Sequence, residues 1–387
     1  MADDLTIAVI AGEPSGDRLG GALMQAIKAR APHVRFVGVG GTEMAAQGLQ
    51  SVFPIDELAI IGLVAILRRL PSIFAHIRAA ADAVIAARPD ALVIIDSPEF
   101  THRVAKRVRK DLPKLPVVDY VCPSVWAWRP WRAQAMRAYA DHVLALLPFE
   151  PDAMAKLGGP PTTFVGHPLA TEVARLRPSA ADAARRAAEP PLVLVLPGSR
   201  GGEIRRHIGL FGETVTRLAA TVGAIDPVLP TPPHLEARVQ EAVAAWPVRP
   251  RIVATEEEKW AAFHQARAAL AASGTVTLEL ALAAVPTVVA YKIPLFEEAI
   301  ARLLIKVPTI VLANLVLGDK VMPELVQRDA TPEKLAAALA PLVTNTPERL
   351  RQLVAFTRLD EVMAIGKARP SETAADVVLA AVRTEAG

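Results

Sequence analysis

Four stretches of this chain carry residue types whose spacing suits the binding and activation of a phosphorylated ligand. The first is Pro197-Gly198-Ser199-Arg200-Gly201-Gly202, which follows the apolar run Leu192–Leu196 and precedes a helix-compatible segment from Glu203. A glycine-rich turn between strand and helix presents backbone N–H groups, and the helix N-terminus adds partial positive charge. Arg200 adds a planar guanidinium that matches phosphate oxygens. The spacing fits neither the P-loop nor the dinucleotide fingerprint, which weighs against NTPase and dehydrogenase chemistry. The second stretch, Ala272-Ser273-Gly274-Thr275-Val276-Thr277-Leu278-Glu279, repeats the strand-turn-helix design. Its hydroxyls and N–H groups suit phosphate, and Glu279, about one helical turn beyond Thr275, can accept hydrogen bonds from a ribose diol. Together the two stretches read as a site for a diphosphate plus ribose.

The third stretch is Val93-Ile94-Ile95-Asp96-Ser97-Pro98-Glu99-Phe100. An acid directly after an apolar strand sits at the carboxyl edge of a sheet. Asp96 there reads equally as a general base or as the cap of a helix beginning near Pro98. The fourth, Tyr120-Val121-Cys122-Pro123-Ser124-Val125-Trp126-Ala127-Trp128-Arg129, places two tryptophans around one alanine, with Trp131 and Arg132 close behind. Such rings stack on a sugar face, meet an acyl chain, or pack a domain boundary, and Arg129 and Arg132 can meet phosphate. Smaller signals line the same half. Gly12, Ser15 and Asp17 follow the first strand, where the serine and aspartate can cap the next helix, and Gly38-Val39-Gly40-Gly41 follows the second. His167, in Phe164-Val165-Gly166-His167-Pro168, lies near the expected domain junction and has no metal-ligand spacing around it.

These residues need elements to hold them. Strand-like runs fall at Thr6–Ile10, Val34–Val39, Ala91–Ile95, Val117–Val121 and His142–Leu147, and again at Leu192–Leu196, Pro227–Leu229, Arg251–Val253, Ala268–Ala271 and Thr287–Tyr291. Helix-like stretches alternate with them. The pattern predicts two α/β domains with parallel sheets covered by helices, separated by a linker within Thr171–Pro191. Ligands in such folds bind at the carboxyl ends of the strands. The run Ile60–Phe74 is too short to span a bilayer and too uniformly apolar for one narrow helical face. With Arg68, Arg69 and Arg78 alongside, it suits either a membrane-interface segment or a core helix.

Composition narrows the classes. The 387 residues are 52% hydrophobic and 21% charged, enough for packed cores and against disorder. Mean hydropathy is +0.31, yet no apolar run reaches the length of a spanning helix, and the acidic start Met1-Ala2-Asp3-Asp4 is unlike a signal peptide. One cysteine excludes an internal disulfide framework, which points to the cytoplasm. A net charge of +3 does not call for nucleic acid, and no basic, aromatic-interleaved motif does either.

The motifs AGEPSGD (Ala11–Asp17), GVGG, ELAIIGLVAIL (Glu57–Leu67), IDSPEF (Ile95–Phe100), PSVWAWR (Pro123–Arg129), LPFEP, FVGHP, LPGSRGGE, ASGTVTLE and PTIVLANLVLGDKVMPELVQ (Pro308–Gln327) run in this order over nearly the whole chain. In these the sequence resembles the lipid-A-disaccharide synthase family of Gram-negative UDP-sugar glycosyltransferases. The resemblance implies a GT-B type α/β fold of two Rossmann-like domains with parallel sheets facing a cleft. It implies a domain at 1–170 on the acceptor and membrane side, a UDP-sugar domain at 171–354, and a helix at about 355–387 packing back on the first. The implied reaction transfers 2,3-diacylglucosamine from UDP-2,3-diacylglucosamine to 2,3-diacylglucosamine 1-phosphate (lipid X), inverting by direct displacement, without cofactor or metal. Asp96 then matches the candidate base. Ser199, Arg200, Gly274, Thr275, Glu279, Asn314 and Gln327 match nucleotide-side positions. Gly12, Ser15, Asp17, Trp126, Arg129 and His167 fall on the acceptor rim. Ile61, Leu63, Val64, Ile66, Leu67, Leu70 and Phe74 fall in the membrane-facing region. The resemblance further implies peripheral attachment to the cytoplasmic face of the inner membrane and, in some members, a homodimer. The chain departs from the family at Glu99, where aspartate is frequent, so Glu99 receives no role, and uracil contacts stay unassigned.

Overall fold

The computed structural model describes residues 5–58, 63–294, 298, 304–305, 307–363 and 368–385, with the backbone alone at 63–70 and 384–385. The chain forms two compact units, one running to Pro168 and regaining the C-terminal helix, the other covering most of the rest from Leu169.

In the first unit, β1 (Thr6–Ala11), β2 (Arg35–Val39), β3 (Ala91–Ile95), β4 (Val117–Tyr120), β5 (His142–Ala145) and β6 (Thr162–Phe164) make one parallel sheet in the order β2-β1-β3-β4-β5-β6. Its central strands, β1 and β3, are buried along their whole length, which is why they read as unbroken apolar runs rather than alternating ones. Ile7, Val9, Val93 and Ile95 face the Pro14–Arg30 helix and Ala374, Ala375 and Val378 of the returning Pro370–Glu385 helix. Ala8, Ile10, Leu92 and Ile94 face the other layer, where Ile77, Ala80 and Val84 of the Leu63–Ala87 helix meet Val104 and Val108 of Thr101–Asp111.

The second unit repeats the plan. Strands β7 (Leu192–Leu196), β8 (Asp226–Pro230), β9 (Arg251–Val253), β10 (Ala268–Ala272), β11 (Thr287–Tyr291) and β12 (Glu324–Val326) pair in parallel in the order β12-β11-β10-β7-β8-β9. Val193, Val195, Leu229, Leu270 and Val288 pack on Phe211, Val215 and Leu218 of the Gly201–Val222 helix and on Leu335 and Leu339 of Pro332–Val343. The order in which strands are added reverses once in each sheet, between β1 and β3 and between β7 and β10. At such switch points the loops diverge and leave a crevice at the carboxyl ends.

Several boundaries differ from the sequence reading. The edge strands β6, Thr-Thr-Phe, and β12, Glu-Leu-Val, were not read, and neither is fully buried along its length. The Thr171–Pro191 stretch is not a free linker. Arg186, on the Ala180–Ala187 helix, donates to the carbonyls of Phe263, His264, Ala283 and Ala284 at 2.9–3.1 Å, which ties the stretch to the second unit. The return to the first unit also starts later than residue 355, because the Pro347–Thr357 helix stays on the second unit, where Gln352 bonds the Thr287 backbone.

Candidate active site

The second unit holds a cavity of about 690 Å³ at the carboxyl ends of five strands, bordered by Leu196, Pro230, Val253, Ala272 and Tyr291. Two helix-opening turns face it. After β7, Gly198 adopts φ +121°, and a Cβ there would lie 2.6 Å from Glu203 Cβ, so only glycine fits this turn. Glu203 Oε2 accepts from the Ser199 N–H (3.3 Å), and Arg200 stands at the N-cap position of the Gly201–Val222 helix without a capping hydrogen bond, its side chain 83% exposed. After β10, Ser273 Oγ donates to the Ile310 carbonyl (2.6 Å), which fixes the turn and leaves Gly274 and Thr275 on the cavity wall. Glu279 lies deeper, with Lys259 Nζ 2.8 Å from its Oε2. Lys259 also sits 4.3 Å over the Trp260 ring, so it is held from two sides. Thr231, on the same wall, has a buried hydroxyl with no hydrogen-bond partner among the described residues. An unmet buried donor on a cavity wall is a position for a ligand or a water.

The first unit has a smaller cavity of about 180 Å³ beside Asp96. Asp96, Ser97 and Val121, at the ends of β3 and β4, have φ of +53°, +46° and +91°. The left-handed region is strained for a β-branched residue such as Val121, and strain of this kind gathers at functional sites. Asp96 Oδ1 accepts the Ser97 N–H (2.7 Å) and Oδ2 accepts from Ser15 Oγ (3.3 Å), a contact made across the β1/β3 switch point. Gly12 permits it, since a Cβ there would stand 2.5 Å from Ser97 Cβ. His102 forms part of the wall, with Nε2 3.0 Å from Asp119 Oδ2 and Nδ1 3.0 Å from the Tyr139 hydroxyl. Burial raises the Tyr139 phenol far above its ordinary range, so it stays protonated.

The profile of the lipid-A-disaccharide synthetase family matches residues 7–378. Lipid-A-disaccharide synthase of Nitrobacter winogradskyi is 58% identical over 97% of this chain and 96% of its own, and that of Rhodopseudomonas palustris is 56% identical over 98% and 96%. The chain belongs to the lipid-A-disaccharide synthase family. Among solved structures it is similar to Acinetobacter baumannii MurG (TM-score 0.56, 17% identity, 97% of this chain and 99% of that one). It is also similar to S. aureus MnaA, solved with UDP (TM-score 0.60, 11% identity, 98% and 96%). These likenesses concern the fold, which is the GT-B type.

In this family member the structure gathers Ser199, Arg200, Gly274, Thr275 and Glu279 around one cavity, and brings Gly12 and Ser15 to Asp96. Other expected residues are occupied elsewhere. Asn314 is buried with its amide closed on the Met322 backbone (2.8 and 2.9 Å), and Gln327 bonds the Ile293 backbone and Glu298, so neither lines the cavity. Asp17 is not on the rim. It is buried, and its carboxylate accepts the N–H groups of Gly41, Glu43 and Met44, capping the following Thr42–Ala46 helix rather than its own. Asp96 does not cap a helix from Pro98 either, because the left-handed pair Asp96-Ser97 delays the helix to Thr101. Trp126 turns inward, donating to Glu150 (3.1 Å) and packing edge-on to Phe149, while Trp128 and Trp131 are exposed. His167 is half-buried, and desolvation pulls its imidazole down to about 4, so it is neutral at pH 7. Of the membrane-facing positions, Ile61 lies outside the described residues, as do the side chains of Leu63, Val64, Ile66, Leu67 and Leu70. Phe74 is 50% exposed. Lys259, Glu203 and Thr231 were missed. Lys259 sits in a Glu-rich helix start, Glu256-Glu257-Glu258-Lys259, that reads as an ordinary solvated turn.

Proposed function

We propose that this chain transfers 2,3-diacylglucosamine from UDP-2,3-diacylglucosamine to the 6-hydroxyl of 2,3-diacylglucosamine 1-phosphate, giving the β-1,6-linked disaccharide 1-phosphate and UDP. The observation that carries this reading is one cavity at the carboxyl ends of β7 to β11 that combines two helix-opening turns, the Arg200 guanidinium and the Glu279 carboxylate. The turn at Ser199 and Arg200 holds the diphosphate, and its donors gain strength as charge builds on the leaving group, which lowers the barrier rather than merely binding substrate. Glu279, fixed by Lys259, accepts from the ribose hydroxyls. In the first unit Asp96 takes the proton of the acceptor hydroxyl, so one displacement at the anomeric carbon inverts an α-linked donor to a β-linked product. The pairing of Asp96 with the Ser15 hydroxyl supports this role, because that oxygen already accepts from an alcohol. The domain at 1–170, completed by the returning helix, serves acceptor and membrane, and the domain at 171–354 serves UDP-sugar. Attachment is peripheral, on the cytoplasmic face of the inner membrane. No helix among the described residues is long and apolar enough to cross a bilayer, and exposed Phe74, Trp128 and Trp131 suit contact with lipid.

Mass spectrometry of the product tests the reading. Purified protein with both substrates in detergent should yield a disaccharide 1-phosphate and an equal amount of UDP. Folded protein that binds UDP yet forms no disaccharide would refute it.

A further inference from the structure

Glu99 gathers three guanidinium groups in the first unit. Arg132 Nη2 lies 2.7 Å from its Oε1 and Arg129 Nη1 4.0 Å from the same oxygen, while Arg103 Nη2 lies 3.4 Å from Oε2. Among the described residues no second carboxylate pairs with these three permanent cations, so the ion-paired cluster carries two more positive charges than negative ones. All four side chains are partly exposed, so these ion pairs add little stability. Their surroundings are built all the same. Arg129 holds a left-handed backbone (φ +54°) with its guanidinium 4.1 Å over the Trp128 ring, and Arg132 shares the wall of the Asp96 cavity. Arg103 stands 5.6 Å over the exposed Phe74 ring, and Trp131 is 62% exposed. Unbalanced cations beside exposed aromatic rings suit an amphiphile with an anionic head. Burial works to raise the Glu99 carboxyl, but the hydrogen bond and charge of Arg132, with the charge of Arg103, outweigh it and hold the group below its ordinary value.

We propose that Arg103, Arg129 and Arg132 bind the phosphomonoester of the acceptor lipid, and that Glu99 occupies this site until the phosphate displaces it. The inference rests on the acceptor reading given above and adds the location of the phosphate. A phosphomonoester dianion matches the unbalanced charge, and its oxygens can take guanidinium forks that a single carboxylate fills only in part. The shared wall with Asp96 has a chemical consequence. A sugar anchored by its 1-phosphate at the arginines is held within reach of Asp96, so the anchor restricts which of its free hydroxyls can meet the base.

The test compares the 1-phosphorylated acceptor with its dephosphorylated counterpart in neutral detergent, for the unmodified protein and for Arg129→Gln/Arg132→Gln. The unmodified protein should prefer the phosphorylated acceptor in kcat/KM by about tenfold or more, mainly through KM, and the double variant should bring the ratio close to one. Glu99→Gln, which keeps the arginines, should lower KM for the phosphorylated acceptor alone and covers the case in which the double variant does not fold. Failure of the unmodified protein to use either acceptor would count against the proposed reaction rather than this site. Normal turnover with an unchanged preference in the folded double variant would overturn the site. So would a variant that keeps the preference but no longer floats with vesicles of phosphatidylcholine and phosphatidic acid, because the cluster would then read a bilayer headgroup.

Discussion

The Asp96 carboxylate commits one oxygen to the neighbouring Ser97 N–H and lends the other to the Ser15 hydroxyl. In the proposed reaction an acceptor hydroxyl takes the place of Ser15 at Oδ2. Asp96→Asn keeps the shape but removes the base, so kcat should fall by about 10²–10⁴-fold while UDP affinity is unchanged. Quenched-flow or steady-state turnover beside calorimetric UDP titration checks both halves. Arg200 differs in kind, since its guanidinium reaches solvent and its only ion pair among the described residues is a 3.8 Å contact with Glu203. Arg200→Ala should leave the melting temperature unaltered and weaken UDP by about 10–100-fold, measured by the same titration. At this scale the sequence showed which residue types stand at strand ends, and the structure puts Arg200 and Glu279 on one cavity wall and Asp96 on another. The sequence did not show that Asn314 spends its amide on Met322 or that Asp17 caps a neighbouring helix, because both partners are contributed by tertiary packing.

Among the elements, the loop after β4 depends on a buried acid. Glu150 accepts from the Trp126 indole (3.1 Å) and the Leu147 N–H (2.9 Å). Burial raises its carboxyl to about 7, outweighing the hydrogen bonds that pull it down. A raised acid holds its proton more tightly folded than unfolded, so stability falls as pH rises from about 4.5 to about 7 and then levels off. The penalty above that window is on the order of 3 kcal/mol. Denaturant unfolding at pH 5.5, 7 and 8.5 should show this slope, and Glu150→Gln should flatten it. No sequence rule foretold the coupling, since Glu150 in Leu-Pro-Phe-Glu-Pro reads as a helix-start carboxylate facing solvent. The turn after β7 was legible, because Gly-Ser-Arg-Gly-Gly between an apolar run and a helix has few other backbone solutions.

For the whole molecule, the C-terminal helix is part of the first unit's core although 369 residues of chain precede it. Val378 is fully buried there, and Arg30 pairs with Asp376 at 2.5 Å on the surface. Val378→Ala should cost roughly 2 kcal/mol, read from the denaturation midpoint. The exposed pair should matter far less. An all-parallel sheet buried on both faces must be written in continuous apolar strands separated by helices, so ten of the strands and the α/β class could be read along the chain. The order of those strands is a different matter. Placing β3 beside β1 and β10 beside β7 makes the switch points where Ser15 meets Asp96 and where the two helix-opening turns share a cavity. Residues 81 positions apart in sequence touch there. Local pattern thus determined the elements and the chemistry at their ends. Only the tertiary structure decided which ends meet and which polar side chains remain free for a ligand, because hydrogen-bond satisfaction in the interior is settled by long-range packing.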